Sequence, residues 1–299
     1  MKIAITGGTG LVGSALSSEL VRNGHEVIIL TRKSNEQDSH NPRYVQWLNP
    51  ADQPENELEG TDAIVNLAGA TINDRWTDEY KQRIIDSRIK ATTEVNRIIK
   101  ALENKPPVLI NASAVGYYGT SLTEEFTEQA NPANDFLADT VRRWEAEAIH
   151  ANESGTRIVL CRFGVILDKK GGALPKMILP YKLFAGGKVG SGNQWLSWIH
   201  IDDVIRGIMF AIENDRLDGP VNFVAPSPVT MDQFGQILSK VLGRPHWLPV
   251  PSFALKIAMG DMSMLVLEGQ KVVPAKLLTS GFNFKYTDLE KALREILGK

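Results

Sequence analysis

A short apolar run, Ile3-Ala4-Ile5, leads directly into Thr6-Gly7-Gly8-Thr9-Gly10-Leu11-Val12-Gly13. This opening restricts the fold more than any other feature of the chain. Gly7 permits the tight turn out of a strand, Gly10 lets the backbone approach a pyrophosphate, and Gly13 lets the next helix pack closely. Gly8, Gly10 and Gly13 also satisfy the tighter G-x-G-x-x-G spacing. The helix opens near Leu11, so its unpaired amides and positive dipole end face whatever the loop holds. A glycine turn can also be a purely structural corner. Here it follows the first strand, opens a helix with Val12, Leu16 and Leu20 on one stripe, and precedes a second apolar strand. That context favours a nucleotide.

The alternation of strand and helix continues to about residue 165. Residues 26–31, 62–67, 108–112 and 157–162 read as further strands, and 11–23, 77–102 and 136–151 as helices. The polar stretch 33–41 reads as a loop. Val27 to Leu30 is apolar throughout, which suggests burial on both faces and therefore parallel pairing. The pattern predicts an α/β fold, a Rossmann-type doubly wound parallel sheet with helices on both faces. Past Gly164 the texture changes: residues 168–197 are rich in Gly and Lys and read as a loop-and-helix excursion. Order returns at 198–201, followed by a helix over 202–214, a strand over 221–224 and helices over 232–242 and 288–297. The expected division is a core of residues 1–165 plus 198–225, and a smaller C-terminal substrate lobe of 166–197 plus 226–299.

Composition excludes several classes. A net charge of -2 over 299 residues gives no electrostatic footprint for nucleic acid or anionic membrane. The single cysteine, Cys161, rules out a disulfide or thiolate cluster within the chain, and no His or Cys group has metal-ligand spacing. No signal peptide is visible, and Pro249, Pro251, Lys256 and Asp261 interrupt the apolar stretch 247–267. These features fit a cytoplasmic protein.

The end of the second strand narrows the nucleotide. An NAD site usually carries an acid there for the ribose 2'-hydroxyl. This chain has Thr31-Arg32-Lys33, with no carboxylate until Glu36. A hydroxyl and two cations suit the 2'-phosphate of NADP, which Arg32 can bind bidentately.

With these residues in hand, the sequence resembles the extended short-chain dehydrogenase/reductase family, the branch of sugar-nucleotide epimerases and dehydratases. "TGGTGLVG" (6–13) is similar to its cofactor loop, "NLAGA" (66–70) to its adenine-side motif and "NASAVGYYG" (111–119) to its serine-bearing strand end. "LCRFGVILDKKGGALP" (160–175), "WIHIDDV" (198–204) and "AKLLTSGFNFKYTDLEKAL" (275–293) match its later landmarks. "SRIKAT" (87–92), "FLADTVRRWEAEA" (136–148), "GSGNQWLSWIHIDD" (190–203) and "VLEGQKVVPAKLL" (266–278) resemble a narrower, poorly characterised epimerase-like subfamily. Its members have a short C-terminal domain of unknown function, and some carry a cell-division-inhibitor label. The resemblance implies NADP contacts at Thr31, Arg32, Leu67, Ala68 and Arg88. With the loop and its neighbours, the expected cofactor set is Gly7, Thr9, Gly10, Leu11, Val12, Gly13, Thr31, Arg32, Lys33, Leu67, Ala68, Gly69 and Arg88.

The larger family works through a Tyr with a Lys four residues later, the cation lowering the phenol's pKa. Four positions after Tyr44, Tyr80, Tyr117, Tyr118, Tyr181 and Tyr286 stand Leu48, Ile84, Ser121, Leu122, Ala185 and Glu290. None is a lysine. The helix where the pair belongs begins Phe136-Leu137-Ala138-Asp139-Thr140-Val141-Arg142-Arg143, apolar at the tyrosine's place. Only a register slipped by one brings Arg142 to the lysine's. Ser113 matches the family's substrate-orienting hydroxyl, and Tyr117 or Tyr118 is expected at the rim of the nicotinamide pocket. The candidate catalytic set is therefore Ser113, Tyr117 and Tyr118. His200 is the histidine that most invites a catalytic reading, but beside Asp202 and Asp203 it is more simply a strand-end hydrogen bond and helix cap. Trp195 and Trp198 suit either a pocket wall or the core, and Glu124, Glu125 and Glu128 read as a solvated loop. Two functions stay open: an NADP-dependent oxidoreductase or epimerase for a small polar substrate such as a sugar nucleotide, and a non-catalytic NADP-binding regulator. The expected partners are a small-molecule substrate, with a homodimer left open, and neither nucleic acid nor membrane.

Overall fold

A computed structural model describes residues 1–33 and 41–299, so most of the loop read over 33–41, with Glu36, lies outside the described residues. Seven strands form one sheet: β1 (Lys2–Thr6), β2 (Glu26–Thr31), β3 (Arg43–Gln46), β4 (Ala63–Asn66), β5 (Val108–Ala114), β6 (Arg157–Phe163) and β7 (Gly219–Phe223). Their spatial order is β3-β2-β1-β4-β5-β6-β7, every neighbouring pair parallel. Chain direction across the sheet reverses between β1 and β4, and a crevice forms at the carboxyl ends of strands at such a switch point.

The long helices cover both faces. α1 (Leu11–Arg22) and α5 (Ile201–Glu213) lie on one, α2 (Asp78–Ala101) and α3 (Phe136–Ile149) on the other. Alternation along each strand divides the apolar residues between them. Ile3, Ile5, Val27 and Ile29 join Leu16, Val204 and Ile208 in one core, while Ala4, Ile28 and Leu30 join Val95, Ile98 and Ala148 in the other. Double-sided burial is why these strands read as unbroken apolar runs. β3 is the strand missing from the sequence reading. Arg43-Tyr44-Val45-Gln46 is only half-buried at the sheet's edge, so no apolar run marks it.

A third core unites α4 (Leu174–Lys182), α6 (Met231–Leu242) and α7 (Leu289–Leu297) through Ile178, Phe234, Leu238 and Leu293. Trp198–His200 does not enter the main sheet; it pairs with Val165–Leu167 as a separate parallel ribbon. No helix among the described residues is long and apolar enough to cross a membrane.

Candidate functional site

Side-chain hydrogen bonds pin the strand ends at the switch point. Thr6 Oγ1 accepts from the amides of Leu67 (3.0 Å) and Ala68 (3.1 Å) and donates to Asn66 Oδ1 (2.6 Å). Asn66 Nδ2 donates in turn to Asn111 Oδ1 on β5 (2.7 Å) and to Thr92 Oγ1 on α2 (3.0 Å). The turn after β1 therefore meets the chain leaving β4. Gly7 has φ of 65° and lies so near Leu67 that a Cβ would stand 2.8 Å from its carbonyl. At Gly13 a Cβ would stand 2.3 Å from the Gly7 oxygen, so only glycine lets α1 rise this close to the turn.

Gly10 caps α1 without a side chain, and no acid sits in the first turn. The first amides of the helix are thus left for an anion. Arg88 faces the same crevice from α2. It packs on Gly69, where a Cβ would be 3.2 Å from Arg88 Cγ, and its Nη1 donates to the carbonyls of Ala70 (3.1 Å) and Ile84 (3.0 Å). The guanidinium lies 5.0 Å from the Trp144 ring centroid, and no carboxylate among the described residues pairs with it. Burial pulls its pKa down to about 10, so it remains charged at neutral pH. Uncapped amides and an uncompensated guanidinium on one crevice fit the phosphates of a dinucleotide.

That crevice opens into a cavity of about 530 Å³ over the carboxyl ends of the strands. Gly7, Gly10, Leu11, Val12, Gly13, Leu67, Arg88 and Ser113 form part of its wall. Thr9, Ala68 and Gly69 belong to the same two turns but do not line it. Thr31 ends β2, the strand flanking β1, and exposed Arg32 and Lys33 follow it beside the glycine turn. A carboxylate engages neither among the described residues.

At the Ser113 end of the cavity the apolar positions on α3 lie where expected, and the tyrosines do not. α3 turns Leu137, Thr140, Val141 and Trp144 to the cavity, a helical stripe. The pair four apart that faces the site is therefore Leu137 and Val141. Arg142 and Arg143 point to solvent, paired with Asp139 at 2.6 and 2.8 Å, which removes the slipped register. Ser113 Oγ donates to Glu145 Oε1 at 2.5 Å, and Glu145 holds Arg162 bidentately at 2.8 and 2.7 Å. Burial works against the Arg162 charge, but the hydrogen bonds and charge of Glu145 outweigh it and hold the guanidinium above its ordinary value. Arg162 Nη1 donates to Tyr118 Oη (2.9 Å), which donates to Asn222 Oδ1 (2.7 Å).

This network corrects the reading of the tyrosines. Neither Tyr117 nor Tyr118 lines the cavity, although Gly116 and Gly119 beside them do. Tyr118 is only 3% exposed and burial pushes its pKa up to about 12, so it is a structural hydroxyl. The Tyr117 ring lies 3.5 Å from the Arg162 guanidinium carbon, stacked on the cation. Glu128 is likewise no solvated loop acid: it is buried and accepts from the amides of Asn222 (3.0 Å) and Lys276 (3.1 Å). His200 caps α5, its Nδ1 accepting from the Asp202 amide at 3.0 Å while Nε2 meets Glu295 at 2.9 Å. Trp195 lines the cavity and Trp198 is core. Sequence reasoning missed Glu145, Arg162 and Asn222. The available signal was a charge inside the apolar run of β6 and an acid on the buried stripe of α3.

A parallel sheet in this order, with a glycine turn and one cavity at its switch point, defines a Rossmann-type dinucleotide-binding protein. The chain belongs to the NAD dependent epimerase/dehydratase family, which residues 3–224 match; residues 250–296 match a domain of unknown function, DUF1731. Epimerase family protein YfhF of Bacillus subtilis is 52% identical over 298 residues, covering 99% of this chain and 98% of its own. The structure of human epimerase family protein SDR39U1 (isoform 2) with NADPH superposes with a TM-score of 0.90 at 35% identity, covering 100% of both chains. A nucleoside-diphosphate sugar epimerase from Corynebacterium glutamicum has a TM-score of 0.81 at 34% identity, covering 100% of this chain and 58% of that one.

Proposed function

We propose that this protein is an NADP-dependent oxidoreductase or epimerase-like enzyme that lacks the family's Tyr-x-x-x-Lys pair. The observation carrying this reading is one cavity that joins the uncapped amides of α1 and Arg88 to Ser113. Gly10 to Gly13 and Arg88 would hold the pyrophosphate, and Thr31, Arg32 and Lys33 the 2'-phosphate. NADPH in the human relative supports the choice of cofactor. When bound, the nicotinamide supplies or accepts a hydride. Ser113 orients the reacting group, and Leu137 and Val141 keep water from it, which strengthens the polar contacts that remain. A sugar nucleotide is the substrate class that the wider family suggests; the chemistry of the cavity wall argues for another.

Calorimetric titration tests the cofactor. NADPH is expected to bind tighter than NADH, and Arg32→Ala to narrow the gap by about tenfold, the loss of one bidentate charged contact. Equal affinities in the unmodified protein contradict the 2'-phosphate assignment, and no binding contradicts the cofactor. Loss of NADPH absorbance with carbonyl compounds, and its appearance from NADP with alcohols, tests the chemistry in both directions. A second reading, a cofactor-sensing regulator without catalysis, is favoured by the apolar pair Leu137 and Val141. It requires a protein partner captured with NADPH and lost without it.

A further inference from the structure

We propose that the substrate half of the cavity selects an uncharged, largely apolar molecule presenting a hydroxyl to Ser113, and rejects nucleoside diphosphates. This rests on NADP occupying the glycine-loop half.

Charge is distributed unevenly around the wall. Among the described residues the one lysine or arginine lining it is Arg88, packed on Gly69 at the cofactor end. Away from it the wall carries two carboxylates, Asp135 and Glu268, and they flank one corner. Asp135 Oδ2 lies 3.2 Å from where a Cβ of Gly119 would stand, and Glu268 Oε2 accepts from Thr120 Oγ1 at 3.0 Å. A second diphosphate would meet the half-buried Asp135 and the exposed Glu268 with no lining cation of its own to offset them.

The rest of the wall offers little to a sugar. Leu137, Val141, Ile166, Trp195, Met264 and Leu265 give it an apolar surface. Several of its side-chain donors already serve the protein, while Asn73 and Thr71, both exposed, keep donors that no group among the described residues accepts. Thr140 donates to the Phe136 carbonyl (2.7 Å), Trp195 Nε1 to Leu122 (2.9 Å), Ser197 to Gln270 (2.8 Å) and Gln270 Nε2 to Val115 (2.9 Å). Polyol recognition needs such groups free, because each sugar hydroxyl left unpaired on burial costs binding energy.

Ser113 fixes the polarity of the one group it can orient. Glu145, locked to Arg162 as a carboxylate, can only accept. The single Ser113 proton is therefore committed to Glu145, and the oxygen turns lone pairs to the cavity. It accepts from a substrate hydroxyl; it has no proton to give a carbonyl.

Binding to the full chain saturated with NADPH tests the proposal, read by calorimetry. The probes are 3-phenylpropan-1-ol, its methyl ether and UDP-glucose. The alcohol is expected to bind saturably, the ether about fivefold more weakly for want of one hydrogen bond, and UDP-glucose not at all at concentrations that saturate with alcohol. Ser113→Ala should abolish the preference of alcohol over ether. Binding of UDP-glucose at or below the alcohol's concentration range overturns the proposal, as does failure of the alcohol to bind or equal affinity for alcohol and ether. The NADPH titration that precedes these measurements reads the cofactor assignment separately. If NADPH does not bind, that assignment fails; the alcohol and its ether still report on the wall in the cofactor-free protein, whereas UDP-glucose then has the empty glycine turn and Arg88 open to its diphosphate.

Discussion

The two ends of the cavity treat polar atoms in opposite ways. At the glycine turn they are left open: α1 has no capping side chain, and Arg88 has carbonyl partners but no carboxylate among the described residues. At the Ser113 end they are closed on one another, through Glu145, Arg162, Tyr118 and Asn222. The open end is a binding surface whose cost is relieved when an anion arrives. The closed end is a frame that sets the shape of the cavity and leaves it one oriented acceptor. On the proposed function, one sheet edge separates recognition of a charged cofactor from selection of a substrate, and mutations at its two ends should fail differently.

The largest expected effect is on the frame. Glu145→Ala leaves Arg162 buried and unpaired and should cost about 3–5 kcal/mol of stability by urea denaturation. Glu145→Leu combined with Arg162→Met should recover much of that loss; a single-variant cost below about 1 kcal/mol would show that the frame is not closed. Next comes the open end. Arg88→Ala should weaken NADPH about 10- to 100-fold in calorimetry while changing stability little, because the charge has no ionic partner to orphan. Equal losses of stability at Arg88 and Glu145 would erase the contrast between the two ends.

Tyr118→Phe should have the smallest effect, about 1–2 kcal/mol, because it leaves Asn222 Oδ1 without its donor. It also carries a pH signature. The folded phenol is held near 12 against about 10 in an unfolded chain, so between those values only the unfolded state releases the proton. The stability that Tyr118 contributes is complete below pH 10 and is lost as pH rises toward 12. Urea midpoints of the Phe variant should fall less steeply over that window; parallel slopes would remove Tyr118 from the buried network.

The sequence makes the open end legible because its work is done by backbone. Glycines mark it directly, at spacings set by the turn and the helix, and the buried strands beside it leave unbroken apolar runs. Arg88 was reachable through resemblance alone, since a single arginine on a helix has no local pattern. The closed end depends on long-range pairing. Ser113 and Arg162 meet on neighbouring strands in register, and Glu145 reaches them from α3, which no spacing along the chain discloses. The expectation for Tyr117 and Tyr118 rests on the likeness of residues 111–119 to the family's serine-bearing strand end, where either tyrosine falls at the pocket rim. In three dimensions the 3-10 turn Val115–Tyr118 carries them to Arg162, away from the cavity. Glu128 looked solvated among its acidic neighbours because its partners, the amides of Asn222 and Lys276, are distant in sequence.

A crystal structure of the NADPH complex tests the contrast most directly. The pyrophosphate should rest on the amides of Leu11 to Gly13 beside Arg88, with the nicotinamide between Ser113 and the apolar pair Leu137 and Val141. A cofactor whose phosphates avoid Arg88, or whose nicotinamide turns away from Ser113, would contradict it.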